Sequence, residues 1–216
     1  MDELTKMWQD SLTSEFLGEP YVEISDFLKT FGVSLGTQST ILNAAYCAFL
    51  QQKENYDYSP MIGAPLVFDY DFSQEIVVLK RFEDQQALTF KQFRRYMGLI
   101  DLIFSEVYPV GSVVELDQEK LPGEVREMFK GGKSDLLVTI HARRVPSKDG
   151  HNYIDYIGTV WPFGMMRDVT PLLLNNMLIK RVVAAGLTND EEKEYVNETL
   201  KKDIVMDGLL SIAYLE

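Results

Sequence analysis

The sequence predicts an α+β fold, with a mostly helical N-terminal half and a small antiparallel sheet closed by a C-terminal helix in the second half. Three observations predict it. Apolar residues recur at helical spacing through "FKQFRRYMGLIDLIF". Period-two alternation marks "DLLVTIHARRV" and "NYIDYIGTVW" on either side of Asp149-Gly150. A final helical pattern opens with the acidic run "NDEEKEY". The expected division is a helical region at 1–107, with a candidate short hairpin at 65–82, followed by a sheet domain at 108–216.

In the first half, a short helix is expected near Leu4–Phe16 and another in "SDFLKTF", with Ser25 as N-cap. Gly32 reads as the end of that helix, so Ser34 is expected in a loop. Gln38–Gln52 follows as a helix whose face carries Ile41, Ala45, Ala48 and Phe49. "YDYSPMIGAP" reads as a break, and "LVFDYDFSQEIVVLKRF" as two short strands. The next helix begins at Thr89. Thr89 and Gln92 have capping-box spacing, and Leu88 with Phe93 fits a hydrophobic staple. Pro109 ends the segment near Val107.

In the second half, "VGSVVEL", "DLLVTIHARRV", "NYIDYIGTVW" and "IKRVVAA" read as strands, with a short helix at Glu124–Phe129. Asn189 caps the last helix with Glu192 at its third position, and its early acids suit the positive end of the helix dipole. Asp149-Gly150 reads as a two-residue hairpin turn, so facing positions sum to 299. Arg144 then faces Asp155, Ala142 faces Ile157, Ile140 faces Thr159 and Val138 faces Trp161. The Arg144–Asp155 pair gives the acid a structural task, as a cross-strand pair worth about 0.2–1 kcal/mol.

Composition narrows the function. The chain has 216 residues, 46% apolar and 25% charged, the profile of an ordered globular protein. No apolar run approaches the ~18 residues of a membrane span, and the acidic start has no secretory core, so a cytoplasmic location is the default expectation. A net charge of −12 disfavours nucleic acid and suits a basic or polar protein partner. The single cysteine, Cys47, excludes an internal disulfide and a cysteine metal cluster, and reads as a core residue.

No motif carries chemistry in its required context. "GVSLG" matches the nucleophile-elbow pattern around Ser34, but a helix precedes it where the elbow needs a strand. "GGKS" at Gly131–Ser134 lacks the earlier glycine of a phosphate loop, since 127 is Glu127. His141 and His151 have no metal-ligand spacing, and Asp190, Glu191, Glu192 and Glu194 read as a solvated helix start. No catalytic, cofactor-binding or metal residue is therefore assigned, and no enzyme activity is expected.

"YPVGSVVEL", "YIDYIGTVWPFG" and "IKRVVAAGLTNDEEKEY" occur in this order between Tyr108 and Tyr195. The segment resembles a family of small bacterial proteins called domain of unknown function 4176. The resemblance covers roughly the second half of the chain. It implies a cytosolic accessory encoded near type VII secretion genes of Firmicutes. The implied role is a chaperone or targeting adaptor for an LXG-type toxin or a small helical WXG-like protein. The alternative is an immunity protein that neutralises a cognate toxin. The export tag of such systems reads Y-x-x-x-[DE], and none of the eleven tyrosines has an acid four residues on, so the chain is not expected to be a tagged substrate itself. Helical targeting regions dock by an apolar stripe, and aromatic residues anchor interfaces. The expected partner-binding residues are therefore Tyr153, Ile157, Trp161 and Phe163.

Overall fold

The structure is a computed structural model that describes residues 3–61, 63–121, 123, 126, 136–148 and 150–215. The chain divides into two compact units, Met1–Ser105 with Tyr214–Glu216, and Glu106–Ala213.

The first unit overturns the expectation of a mostly helical half. It contains helices α1 (Glu3–Ser11), α2 (Ser14–Leu17), α3 (Asp26–Gly36), α4 (Ser39–Leu50) and α5 (Phe90–Phe104). It also contains a four-stranded antiparallel sheet: β1 (Asn55–Tyr58), β2 (Leu66–Asp71), β3 (Ile76–Arg81) and β4 (Asp84–Thr89), paired in that order. β1 and β4 were hidden by their composition. "NYDY" and "DQQALT" have no apolar run, and DQQ is poor in strand formers. Pairing supplies what propensity lacks. Arg81 faces Asp84 across a tight turn, and Tyr56 faces Phe68.

α5 starts where its capping box places it. The Gln92 N–H donates to Thr89 Oγ1 at 3.3 Å, and the Thr89 N–H donates to Gln92 Oε1 at 3.0 Å. Leu88 and Phe93, the staple pair, are both buried. The helix stops at Phe104, with Ser105 as its cap, three residues short of the expected end.

α3 runs through the glycine expected to end it. A Cβ on Gly32 would lie 2.1 Å from Trp8 Cζ2, and one on Gly36 would lie 2.3 Å from Phe104 Cδ2. Both glycines are therefore close-approach positions where aromatic rings pack onto the helix backbone. Ser34 sits inside the helix, where its hydroxyl donates to the Thr30 carbonyl at 2.9 Å. The expected loop does not exist. Cys47, expected in the core, is only half-buried.

The second unit is built on a six-stranded sheet. Its strands are β5 (Val113–Leu116), β6 (Leu137–Pro146), β7 (Asn152–Val160), β8 (Leu172–Leu174), β9 (Ile179–Ala184) and β10 (Leu210–Ser211). The order is β10-β7-β6-β5-β9, with β8 also on β7. All pairs are antiparallel except the short β10–β7 pair. Val114, Leu116, Val138, Ile140, Tyr156 and Leu174 form a core cluster. After β9, α6 (Asp190–Glu194) runs through a π-helical stretch (Tyr195–Leu200) into α7 (Lys201–Met206). Asn189 Oδ1 accepts from the Glu192 N–H at 2.9 Å, which caps α6 as its sequence implies. The expected helix at Glu124–Phe129 falls largely outside the described residues, and Gly131–Ser134 falls wholly outside them.

The β6–β7 register corrects the sequence reading at one point. Near the turn the facing positions sum to 299, as with Ala142↔Ile157 and Val145↔Ile154. A bulge between Ile140 and Ala142 then shifts the ladder by one. Ile140 faces Gly158 rather than Thr159, and Val138 faces Val160 rather than Trp161. The turn is also wider than two residues. The strands end at Pro146 and Asn152, and the Gly150 N–H donates to the Ser147 carbonyl at 3.1 Å. Asp149 itself lies outside the described residues.

Candidate partner-binding surface

The four residues expected to bind a partner separate into two environments. Tyr153 is fully buried and Ile157 half-buried, whereas Trp161 is 44% and Phe163 66% exposed. Tyr153 and Asp155, two residues apart on β7, point to one side of the strand and both are fully buried.

Tyr153 belongs to a buried polar cluster. Arg144 Nη1 lies 3.1 Å from Asp155 Oδ1, with both side chains fully buried. The same guanidinium donates to the Tyr153 hydroxyl and lies over its ring, 4.8 Å from the centroid. Ser211 donates to Asp155 Oδ2, which ties β10 to β7. Arg144 holds this place with φ of +48°, a left-handed conformation for a non-glycine residue. The pair foreseen as a modest cross-strand contact is thus an internal ion pair. Removing one partner alone leaves the other's charge buried, a cost of about 3–5 kcal/mol.

Gly158 also has a structural role. A Cβ there would lie 2.5 Å from Val138 Cγ1 and 2.7 Å from the Thr139 carbonyl oxygen. The motif glycine lets β6 pass close to β7 beside the bulge. His141, at the bulge, shares a 2.6 Å hydrogen bond between its Nε2 and Thr159 Oγ1. Arg143 forms a two-pronged ion pair with Glu192 of α6 and stands over the Tyr195 ring. The Arg143 guanidinium holds the Glu192 carboxyl below its ordinary range.

Trp161 opens an exposed apolar run that sequence reading caught only at its start. Between Trp161 and Leu173 the chain presents Trp161, Phe163, Met165, Met166, Val169 and Leu173, each between 44% and 68% exposed. Pro162 and Gly164 end β7, and the Phe163 and Gly164 N–H groups turn back onto the Val160 carbonyl at 3.1 and 3.3 Å. The connection leads to β8, which pairs with β7 from Leu172. Single exposed apolar residues are ordinary on protein surfaces, whereas contiguous ones mark interaction sites. The missed signal was "MMRDVTPLLL", whose Met pair and Leu173 lack a period that points to either face.

In the first unit, an open recess is bordered by Glu54, Asp69, Tyr70 and Asp71. Lys80 pairs with Asp69, while Ser73 and the Gln74 N–H bond Asp71 and hold its carboxyl below the ordinary range. Among the described residues no group of three or more His, Cys, Asp or Glu is placed to hold a metal ion, and no helix is long and apolar enough to cross a membrane.

Residues 107–195 match the family model described as Domain of unknown function (DUF4176). The match runs from just before β5 through α6 and agrees with the resemblance carried by the three motifs. No curated protein and no solved structure matches the chain.

Proposed function

We propose that the chain, with a DUF4176 domain at residues 107–195, is a non-enzymatic cytosolic accessory that holds a partner protein on the apolar run from Trp161 to Leu173. The observation that carries this reading is the exposure of six large apolar side chains between Trp161 and Leu173. Trp161 at its start and Met165 and Met166 further along suit an interface, since an aromatic ring offers a rigid anchor and a thioether adapts to varied shapes. The fitting occupant is a helix with an apolar stripe. The family resemblance makes the targeting region of a type VII secretion toxin, or its small helical partner, the first candidate.

Two features support a binding role over catalysis. Ser34, the one nucleophile candidate, spends its hydroxyl on a carbonyl in mid-helix. The buried Arg144–Asp155–Ser211 contacts are internal bonds that join strands.

The test is calorimetric titration with the toxin's N-terminal targeting region and, separately, with its C-terminal toxic domain. The reading predicts binding of the targeting region, weakened at least tenfold by the double substitution Trp161→Ala and Phe163→Ala. The net charge of −12 favours a second reading, an immunity protein held to a basic toxic domain. Binding of that domain alone would select it.

A further inference from the structure

Met165 and Met166 stand side by side in the run from Trp161 to Leu173, 68% and 48% exposed. Neither is part of the buried core. Met7, Met97 and Met177, by contrast, are buried. Met61 and Met206 are also exposed, but Met61 lies between β1 and β2 and Met206 ends α7, outside the run. The described methionines thus fall into three groups: buried, exposed elsewhere, and exposed as a pair within the apolar surface.

A thioether at the surface is open to oxygen transfer. A sulfur lone pair attacks one oxygen of hydrogen peroxide and the O–O bond breaks. That oxygen stays on sulfur and gives up its proton, and the departing hydroxide takes the proton and leaves as water. Sulfur is oxidised by two electrons and the peroxide is reduced by two. The product is a sulfoxide, polar where the thioether was apolar. Hydrogen peroxide is uncharged, so the net charge of −12 does not repel it. At an exposed position the S–O dipole stays hydrated. Covered by a partner's apolar stripe, it loses that water without gaining a donor. The cost therefore falls on the complex and not on the folded chain.

We propose that Met165 and Met166 form a peroxide-sensitive modification site that switches the partner surface off. The inference rests on the reading of the run from Trp161 to Leu173 as that surface. Hydrogen peroxide places two sulfoxides within the run and releases the partner, while the fold is unchanged. Reduction reverses the change. A methionine sulfoxide reductase takes two electrons from a dithiol, the sulfoxide oxygen leaves as water, and the dithiol closes to a disulfide.

The test treats the full chain with hydrogen peroxide. Peptide mass mapping is expected to show the gain of one oxygen at Met165 and at Met166 at least tenfold faster than at Met7, Met97 or Met177. Retention on a phenyl column, which needs no partner, is expected to fall on oxidation and to return after treatment with the reductases for both sulfoxide epimers and a dithiol. Titration calorimetry with the toxin's N-terminal targeting region is expected to show at least a fivefold loss of affinity, with melting unchanged. Met165→Leu with Met166→Leu keeps apolar bulk without an oxidisable sulfur, and is expected to hold retention and affinity through the same treatment. That variant retains Met61, Met206 and Cys47, so any effect of oxidising them would persist in it. Slow oxidation of the pair, unchanged retention, equal affinity of the oxidised and unoxidised chains, or the same losses in the leucine variant would each overturn the proposal. An unoxidised chain that does not bind the targeting region would refute the partner reading and this switch with it, and is told apart because it fails before peroxide is added.

Discussion

Arg144 and Asp155 face one another inside the second unit, with Tyr153 bonded to the arginine and Ser211 to the acid. A charge in such a place is stabilising only while its partner remains. Arg144→Ala is expected to cost about 3–5 kcal/mol in urea unfolding, whereas replacing the pair together, as Arg144→Met with Asp155→Leu, should cost far less. Equal losses for the single and double variants would show that the ion pair is not the quantity that matters. Glu115 makes a prediction about pH. Its hydrogen bonds from Lys180, then from Arg181, hold its carboxyl below the ordinary glutamate value of 4.5. A lowered folded-state pKa contributes stability that is present above 4.5 and lost as pH falls through the lower, folded value. Acid unfolding curves of Glu115→Gln should therefore lose part of the dependence below pH 4.5 that the parent shows. Identical curves would contradict this assignment.

Helix α3 shows how packing overrules local preference. Alanine is favoured over glycine inside a helix by about 1 kcal/mol. At Gly32 the added Cβ would stand 2.1 Å from the Trp8 ring, which is fully buried and bonded through Nε1 to the Lys29 carbonyl at 3.0 Å. Overpacking of this kind costs about 1–3 kcal/mol, so it wins. Gly32→Ala should lower the melting temperature despite its better propensity, and a raised one would refute the contact. The same element shows the limit of reading sequence. Gly32 looks like a helix end because its partner, Trp8, lies 24 positions earlier, and nothing local reports that contact. The Thr89 capping box, the Asn189 cap and the register of β6–β7 near its turn were legible because each is set within a few residues. β4 was not, because polar "DQQALT" becomes a strand only by pairing with β3. The bulge at His141 was not, because it depends on how β6 passes Gly158. β8 and β10 are too short to show a period. At the candidate surface, Trp161 and Phe163 were legible as aromatic residues at the close of the expected strand and just past it. Tyr153 looked the same in sequence, and only the cluster around Arg144 shows that it faces inward.

At the scale of the whole chain, an acidic surface and an exposed apolar connection occur together. On the proposed reading, the charge of −12 disfavours self-association, while the run from Trp161 to Leu173 offers exposed apolar surface whose desolvation would favour a partner. Association driven this way buries apolar surface and gives a negative heat-capacity change. A salt-governed contact would weaken steeply with ionic strength instead. The most direct measurement is titration calorimetry of the full chain with a toxin targeting region, repeated at several temperatures for the parent and for Trp161→Ala with Phe163→Ala. The account predicts a negative heat-capacity change for the parent and at least a tenfold loss of affinity in the variant, with its circular dichroism and melting unchanged. Equal affinity for parent and folded variant would contradict it.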